Sequence, residues 1–120
     1  DGMVLVVDDE PGVRAAARRV LERGGLRVCL AGDGREAISA FAAMKGEIDA
    51  VLLDMTMPHL RGDEVYRELR RIRPDVRVVL SSGFSDPGLV ADIGGEVGFL
   101  AKPWTPQQLL AAVDAALGRH

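Results

Sequence analysis

Residues 50 to 53 read AVLL, an unbroken apolar run, and an acid, Asp54, follows it directly. A strand with one wet face alternates apolar and polar residues, whereas a run without alternation fits a strand covered by helices on both faces of a parallel sheet. The stretch 3 to 7 (MVLVV) reads the same way and runs into Asp8 and Asp9, and 76 to 80 (VRVVL) runs into Ser81 and Ser82. Two more candidates, 26 to 31 (LRVCLA) and 97 to 101 (VGFLA), bring the strands to five, and Lys102 follows the last.

Between these runs the apolar period changes to that of a helix. Val13, Ala16, Ala17, Val20 and Leu21 form one stripe, and Ala37, Ile38, Phe41 and Met44 a second. Gly62, Val65, Tyr66, Leu69 and Ile72 form a third, Leu89, Val90 and Ile93 a short fourth, and Leu109, Leu110, Val113, Ala116 and Leu117 a fifth. Asp33 with Glu36 and Thr105 with Gln108 have capping-box spacing, Pro106 suits a first helical turn, and Gly24 and Gly118 suit helix stops. Strict βα alternation with short, right-handed connections predicts a doubly wound α/β fold, (βα)5, with flavodoxin-like strand order 2-1-3-4-5. Ligands of such sheets bind beyond the carboxyl ends of the strands, which is where Asp8, Asp9, Asp54, Ser81 and Lys102 fall.

A chain of 120 residues that is 48% hydrophobic supports one core, so residues 1–120 are expected to form one domain. The formal charge of −3 is spread along the chain without a basic block, which argues against direct nucleic-acid contact. Cys29 is the only cysteine, leaving no disulfide framework and no Cys/His zinc cluster. Without a membrane-length apolar stretch or a signal peptide, a cytoplasmic module with no membrane contact is expected. The start at Asp1 and the end at His120 read like a piece of a longer protein.

Three carboxylates gathered at one sheet edge repel unless a cation joins them. Mg2+ is the natural candidate, because it takes few protein carboxylates and keeps coordination positions for water and a phosphate oxygen. An aspartate in such a site can attack phosphorus, with the Lys102 ammonium offsetting charge on the phosphoryl oxygens and the Ser81 hydroxyl donating to one of them. A group that adds nearly two negative charges then acts as a switch.

These residues resemble the receiver domains of bacterial response regulators and hybrid histidine kinases, over essentially the whole chain. The resemblance rests on Asp8-Asp9, on Asp54-Met-Thr-Met-Pro58 with Gly62 four positions later, on Ser81, and on Lys102-Pro103. It implies that Asp54 is the phosphoacceptor and that Asp8, Asp9, Asp54 and the backbone carbonyl of Thr56 hold Mg2+. It further implies Lys102 as the phosphate-binding lysine, Ser81 as the switch hydroxyl and Phe99 as the aromatic rotamer switch, expected to favour its inward state. The implied phosphodonor is a histidine kinase or a histidine phosphotransfer domain, and the responsive surface is the fourth helix, fifth strand and fifth helix. The SSGF and FLAKPW segments are similar to those of hybrid-kinase receivers. Few charges on the last two helices beyond Asp92 and Asp114 point to a monomer or a weak dimer.

Plainer readings compete for several of these residues. Ser82 reads as a turn cap, Met55 and Met57 as packing, Trp104 as an anchor for the last helix, and His59 as a solvated loop residue. Arg14, Arg18 and Arg19 read together as a solvated helix face, which is also where the resemblance places phosphodonor docking. A phosphatase of the haloacid dehalogenase type wants a second Asp two residues after the nucleophile, and position 56 is Thr. No nucleotide-binding Gly-rich loop is present. The alternative to a phosphorylation switch is a degenerate receiver that acts only as a protein-interaction module; on either reading the domain is not an enzyme with an outside substrate.

Overall fold

The computed structural model describes residues 2–44, 46–55, 62–83 and 97–118. Among them are five strands: β1 (Met3–Val7), β2 (Arg27–Ala31), β3 (Ala50–Asp54), β4 (Val78–Ser82) and β5 (Gly98–Ala101). They pair in parallel in the order β2-β1-β3-β4-β5, as the alternation of periods predicts. Four helices are described, α1 (Pro11–Arg23), α2 (Gly34–Ala43), α3 (Gly62–Ile72) and α4 (Pro106–Leu117). The helix expected at Leu89, Val90 and Ile93 lies outside the described residues, so α4 is the fifth helix of the sequence reading.

Successive side chains of a strand point to opposite faces, and the sheet uses both. Leu5, Val7, Val51, Leu53, Val78 and Leu80 share one core with Phe41 of α2 and with Val65, Tyr66 and Leu69 of α3. Val4, Val6, Leu52, Val79 and Leu100 share the other with Ala17 and Leu21 of α1 and with Leu109 and Val113 of α4. This double coverage is the reason that AVLL and MVLVV carry no alternating polar residues: β1 and β3 lie in the middle of the sheet and have no wet face.

Local chemistry sets the helix ends. Pro11 begins α1, where its missing N–H costs no hydrogen bond. At α2 the Asp33 carboxylate accepts from Glu36 N at 2.8 Å, which is half of a capping box. At α4 the box is complete, with Gln108 N donating to Thr105 Oγ1 at 3.1 Å and Thr105 N donating to Gln108 Oε1 at 2.8 Å. After α1 the left-handed residue is Gly25, at φ 86°, while Gly24 before it is the cap.

One boundary differs from expectation in a way that matters for function. Ser81 and Ser82 do not follow β4 but are its last two residues, because their carbonyls still accept from the adjoining chain: Met55 N donates to Ser81 O at 2.8 Å and Lys102 N to Ser82 O at 2.9 Å. The apolar run ends before the hydrogen-bonded ladder does, and hydrophobicity alone misplaces the strand end by two residues.

The start of α3 is pressed against the residue after the acid of β3. A Cβ added at Gly62 would lie 3.0 Å from the Met55 Cα and would run into the Met55 side chain as well. Backbone cannot withdraw as a flexible side chain can, so Gly62→Ala is expected to destabilise the chain by about 1–3 kcal/mol, the usual cost of overpacking. Urea denaturation of the two chains checks this, and a change below about 0.5 kcal/mol would mean that the loop after β3 shifts freely.

Candidate functional site

Parallel pairing in register brings the strand ends together. Val7 stands beside Leu53, Asp54 beside Ser81, and Ser82 beside Ala101, so the residues that follow β1 and β5 join the last residues of β3 and β4 at one edge. Carboxylate oxygens of Asp8, Asp9 and Asp54 all lie within 4.8 Å of one another. Asp8 and Asp54 are buried, at 3% and 2% exposure, and Asp9 is exposed. A buried acid beside a second buried acid needs a counter-charge, and Lys102 provides one. Its Nζ lies 2.8 Å from Asp8 Oδ2 and 3.4 Å from Asp54 Oδ2.

Burial works against the charge of Lys102, but the hydrogen bond to Asp8 and the charges of Asp54 and Asp8 outweigh it and hold the ammonium above the ordinary lysine range. The three carboxylates outnumber the ammonium that bridges Asp8 and Asp54, an excess of negative charge that a divalent cation would offset. At about 4 Å and an effective dielectric near 20, each like-charge pair costs about 4 kcal/mol, so the cluster favours a cation strongly. The donor set, three carboxylates with one face open to water at Asp9, suits a hard, oxygen-seeking metal.

Ser81 is 2% exposed, and its hydroxyl has no hydrogen-bond partner among the described residues. An unpaired buried hydroxyl costs about 1–3 kcal/mol. The hydroxyl lies at the edge of the acidic cluster, one strand over from Asp54. Ser82 is buried and has a partner, so it is not a free donor. Beside the ammonium, an open hollow of about 420 Å³ is lined by Val13, Gly83, Lys102, Pro103 and Trp104, with a cis peptide between Lys102 and Pro103.

Two expectations change. Phe99, expected inward, is 38% exposed. Among the described strands it belongs to the one at the sheet edge, with β4 as its single neighbour. Arg14 does not share the solvated face of Arg18 and Arg19: it is half-buried, and its Nη1 donates to the Asp8 carbonyl at 2.7 Å. Sequence reasoning grouped the three arginines because each falls on the outer side of the helix wheel. Position 14 is in the first turn of α1, close enough to the β1 end for its side chain to fold back. Thr56 and His59 lie outside the described residues.

Residues 4–114 match the family model described as the response regulator receiver domain. Among curated proteins, the sensor kinase CckA of Brucella abortus is 34% identical over 98% of this chain, and the response regulator MprA of Mycolicibacterium vanbaalenii is 42% identical over 97%. The chain spans 13% of the length of the former and 50% of the latter. The crystal structure of the response regulator TrrA from Thermotoga maritima, in complex with Mg(2+)-BeF, superposes with a TM-score of 0.84 at 29% identity, covering 98% of this chain and 100% of that one. With the family model spanning nearly every residue, and the acidic cluster, buried serine and lysine meeting at one end of a 2-1-3-4-5 sheet, the chain belongs to the response regulator receiver domain family.

Proposed function

We propose that the chain is a Mg2+-dependent phosphorylation switch that takes a phosphoryl group from a phosphohistidine onto Asp54. The observation that carries this reading is the convergence of Asp8, Asp9, Asp54 and Lys102 at one site, where three carboxylates meet one ammonium. The donor is a histidine kinase or a histidine phosphotransfer domain, a reading supported by the likeness to a sensor kinase. An Asp54 carboxylate oxygen attacks phosphorus, the P–N bond breaks, and its electron pair leaves with the imidazole. Asp8, Asp9 and Asp54, with the Thr56 carbonyl, would hold the Mg2+, which when bound supplies positive charge against the phosphoryl oxygens. That TrrA is in complex with Mg(2+)-BeF supports this choice of metal.

Lys102, already beside Asp54, moves its hydrogen bond to a phosphoryl oxygen. Ser81 donates its unsatisfied hydroxyl to another, which draws in the end of β4 and leaves Phe99 room to turn inward. The surface around β5 and α4 then changes for a downstream effector. The whole of residues 1–120 would act as this one domain, working as a monomer or weak dimer without nucleic-acid or membrane contact. Among the described residues no helix is long and apolar enough to cross a membrane.

Intact-mass analysis after incubation with acetyl phosphate tests the reading. One phosphoryl adduct is expected with Mg2+ and none after chelation. An adduct that forms equally well without divalent metal would remove the basis for the acidic cluster's role. A chain that neither binds Mg2+ nor accepts the group would instead fit the degenerate, partner-binding receiver.

A further inference from the structure

We propose that Arg14 is a positioning residue for the acidic pair, holding the peptide between Asp8 and Asp9 so that Asp9 faces the metal site. Each polar group of Asp8 is fixed by a different part of the fold. Its N–H donates to Ala31 O at 3.1 Å, its Oδ1 accepts from Glu10 N at 2.9 Å, its Oδ2 accepts from Lys102, and its carbonyl accepts from Arg14 Nη1 at 2.7 Å. The carbonyl of Asp8 and the amide of Asp9 belong to one rigid peptide plane. The direction in which Asp9 leaves β1 therefore depends on where the Arg14 guanidinium sits.

The guanidinium is itself confined. A Cβ built on Gly32 would lie 3.2 Å from Arg14 Nη1 and 3.4 Å from Glu36 Oε2, so the turn between β2 and α2 leaves a space of one missing side chain into which Arg14 reaches. Asp8 is buried and held at both carboxylate oxygens, but Asp9 is exposed and its nearest buried neighbours in the cluster are like-charged carboxylates. An arginine that fixes the peptide from outside the site meets that need without spending a metal ligand.

The inference rests on the metal site proposed above, and electrostatics makes it separable from a simple charge effect. Arg14 brings a positive charge close to a cation site, so if charge were its only influence, its removal would tighten Mg2+ binding. If it positions Asp9, its removal loosens binding. In a calorimetric Mg2+ titration, Arg14→Gln is expected to bind about tenfold more weakly than the unaltered chain, the lower end of what supporting hydrogen bonds contribute at metal sites. Arg14→Lys keeps the charge and a donor but not the fork, and is expected to fall between the two. Urea denaturation without metal is run on both variants, so that Mg2+ binding is compared only between folded chains. Unchanged or tighter binding by folded Arg14→Gln overturns this inference alone. Absence of Mg2+ binding by the unaltered chain overturns the metal site and the inference together.

Discussion

Asp54→Asn is expected to give no phosphoryl adduct with acetyl phosphate and Mg2+, and at the same time to unfold at a higher temperature than the unaltered chain when divalent metal is absent. The first effect follows from chemistry: an amide oxygen is a poor nucleophile and gains nothing from neutralising the site. The second follows from the cluster. Asp54 is 2% exposed and within 4.8 Å of two other carboxylates, so an isosteric neutral group removes repulsion that the metal-free fold bears. A gain of about 1 kcal/mol, or roughly 4 °C, is expected in the metal-free chain, and Mg2+ should then add little further stability. Thermal unfolding with and without Mg2+ measures both. A lower melting temperature for Asp54→Asn would mean that the contact with Lys102 outweighs the repulsion.

Lys102→Ala is expected to separate metal binding from phosphoryl transfer by moving them in opposite directions. In the structure Lys102 is closer to Asp8, at 2.8 Å, than to Asp54, at 3.4 Å, so it occupies a carboxylate that the proposed metal would also need. Removing it takes one positive charge from the cluster and frees the Asp8 Oδ2 that it holds. Mg2+ should bind about tenfold more tightly, a modest share of the Coulomb energy available at such distances. On the proposed mechanism, however, the phosphoryl oxygens would lose their ammonium, and loss of one such donor typically slows transfer by about 100-fold or more. Calorimetric Mg2+ titration and the rate of adduct formation at saturating Mg2+ give the two numbers. Weaker Mg2+ binding would show that the lysine organises the carboxylates rather than competing for them.

How much of this was legible in the sequence differs between backbone and side chain. The strand order follows from period alternation, because each helix must cover one face of a parallel sheet and only a few windings permit that. The meeting of Asp8, Asp9, Asp54 and Lys102 follows in turn, since each stands where an apolar run stops. The placement of the Arg14 side chain and the strand position of the two serines were not legible in that way. A helix wheel records which way a Cα faces, not how far a long side chain folds back over its own N-terminus, so Arg14 looked solvated. Ser81 and Ser82 looked like the start of a turn because hydrophobicity stops at Leu80, whereas backbone hydrogen bonding continues to Ser82. The preference of Lys102 for Asp8 over Asp54 is a matter of angstroms, which no spacing rule carries.

The sheet order has a consequence for how the chain acquires its structure in time. The pairing of β1 with β2 closes across one helix, as does that of β3 with β4, but the pairing of β1 with β3 must span α1, β2 and α2. Loop-closure entropy grows with length, and contacts distant along the chain form late. During synthesis from the N-terminus, β1, α1 and β2 can associate while β1 still has one open edge, and that edge is filled only when β3 emerges. Asp54 is the last residue of β3 and reaches Asp8 in that same docking event, so its repulsion by Asp8 and Asp9 acts on the late long-range closure.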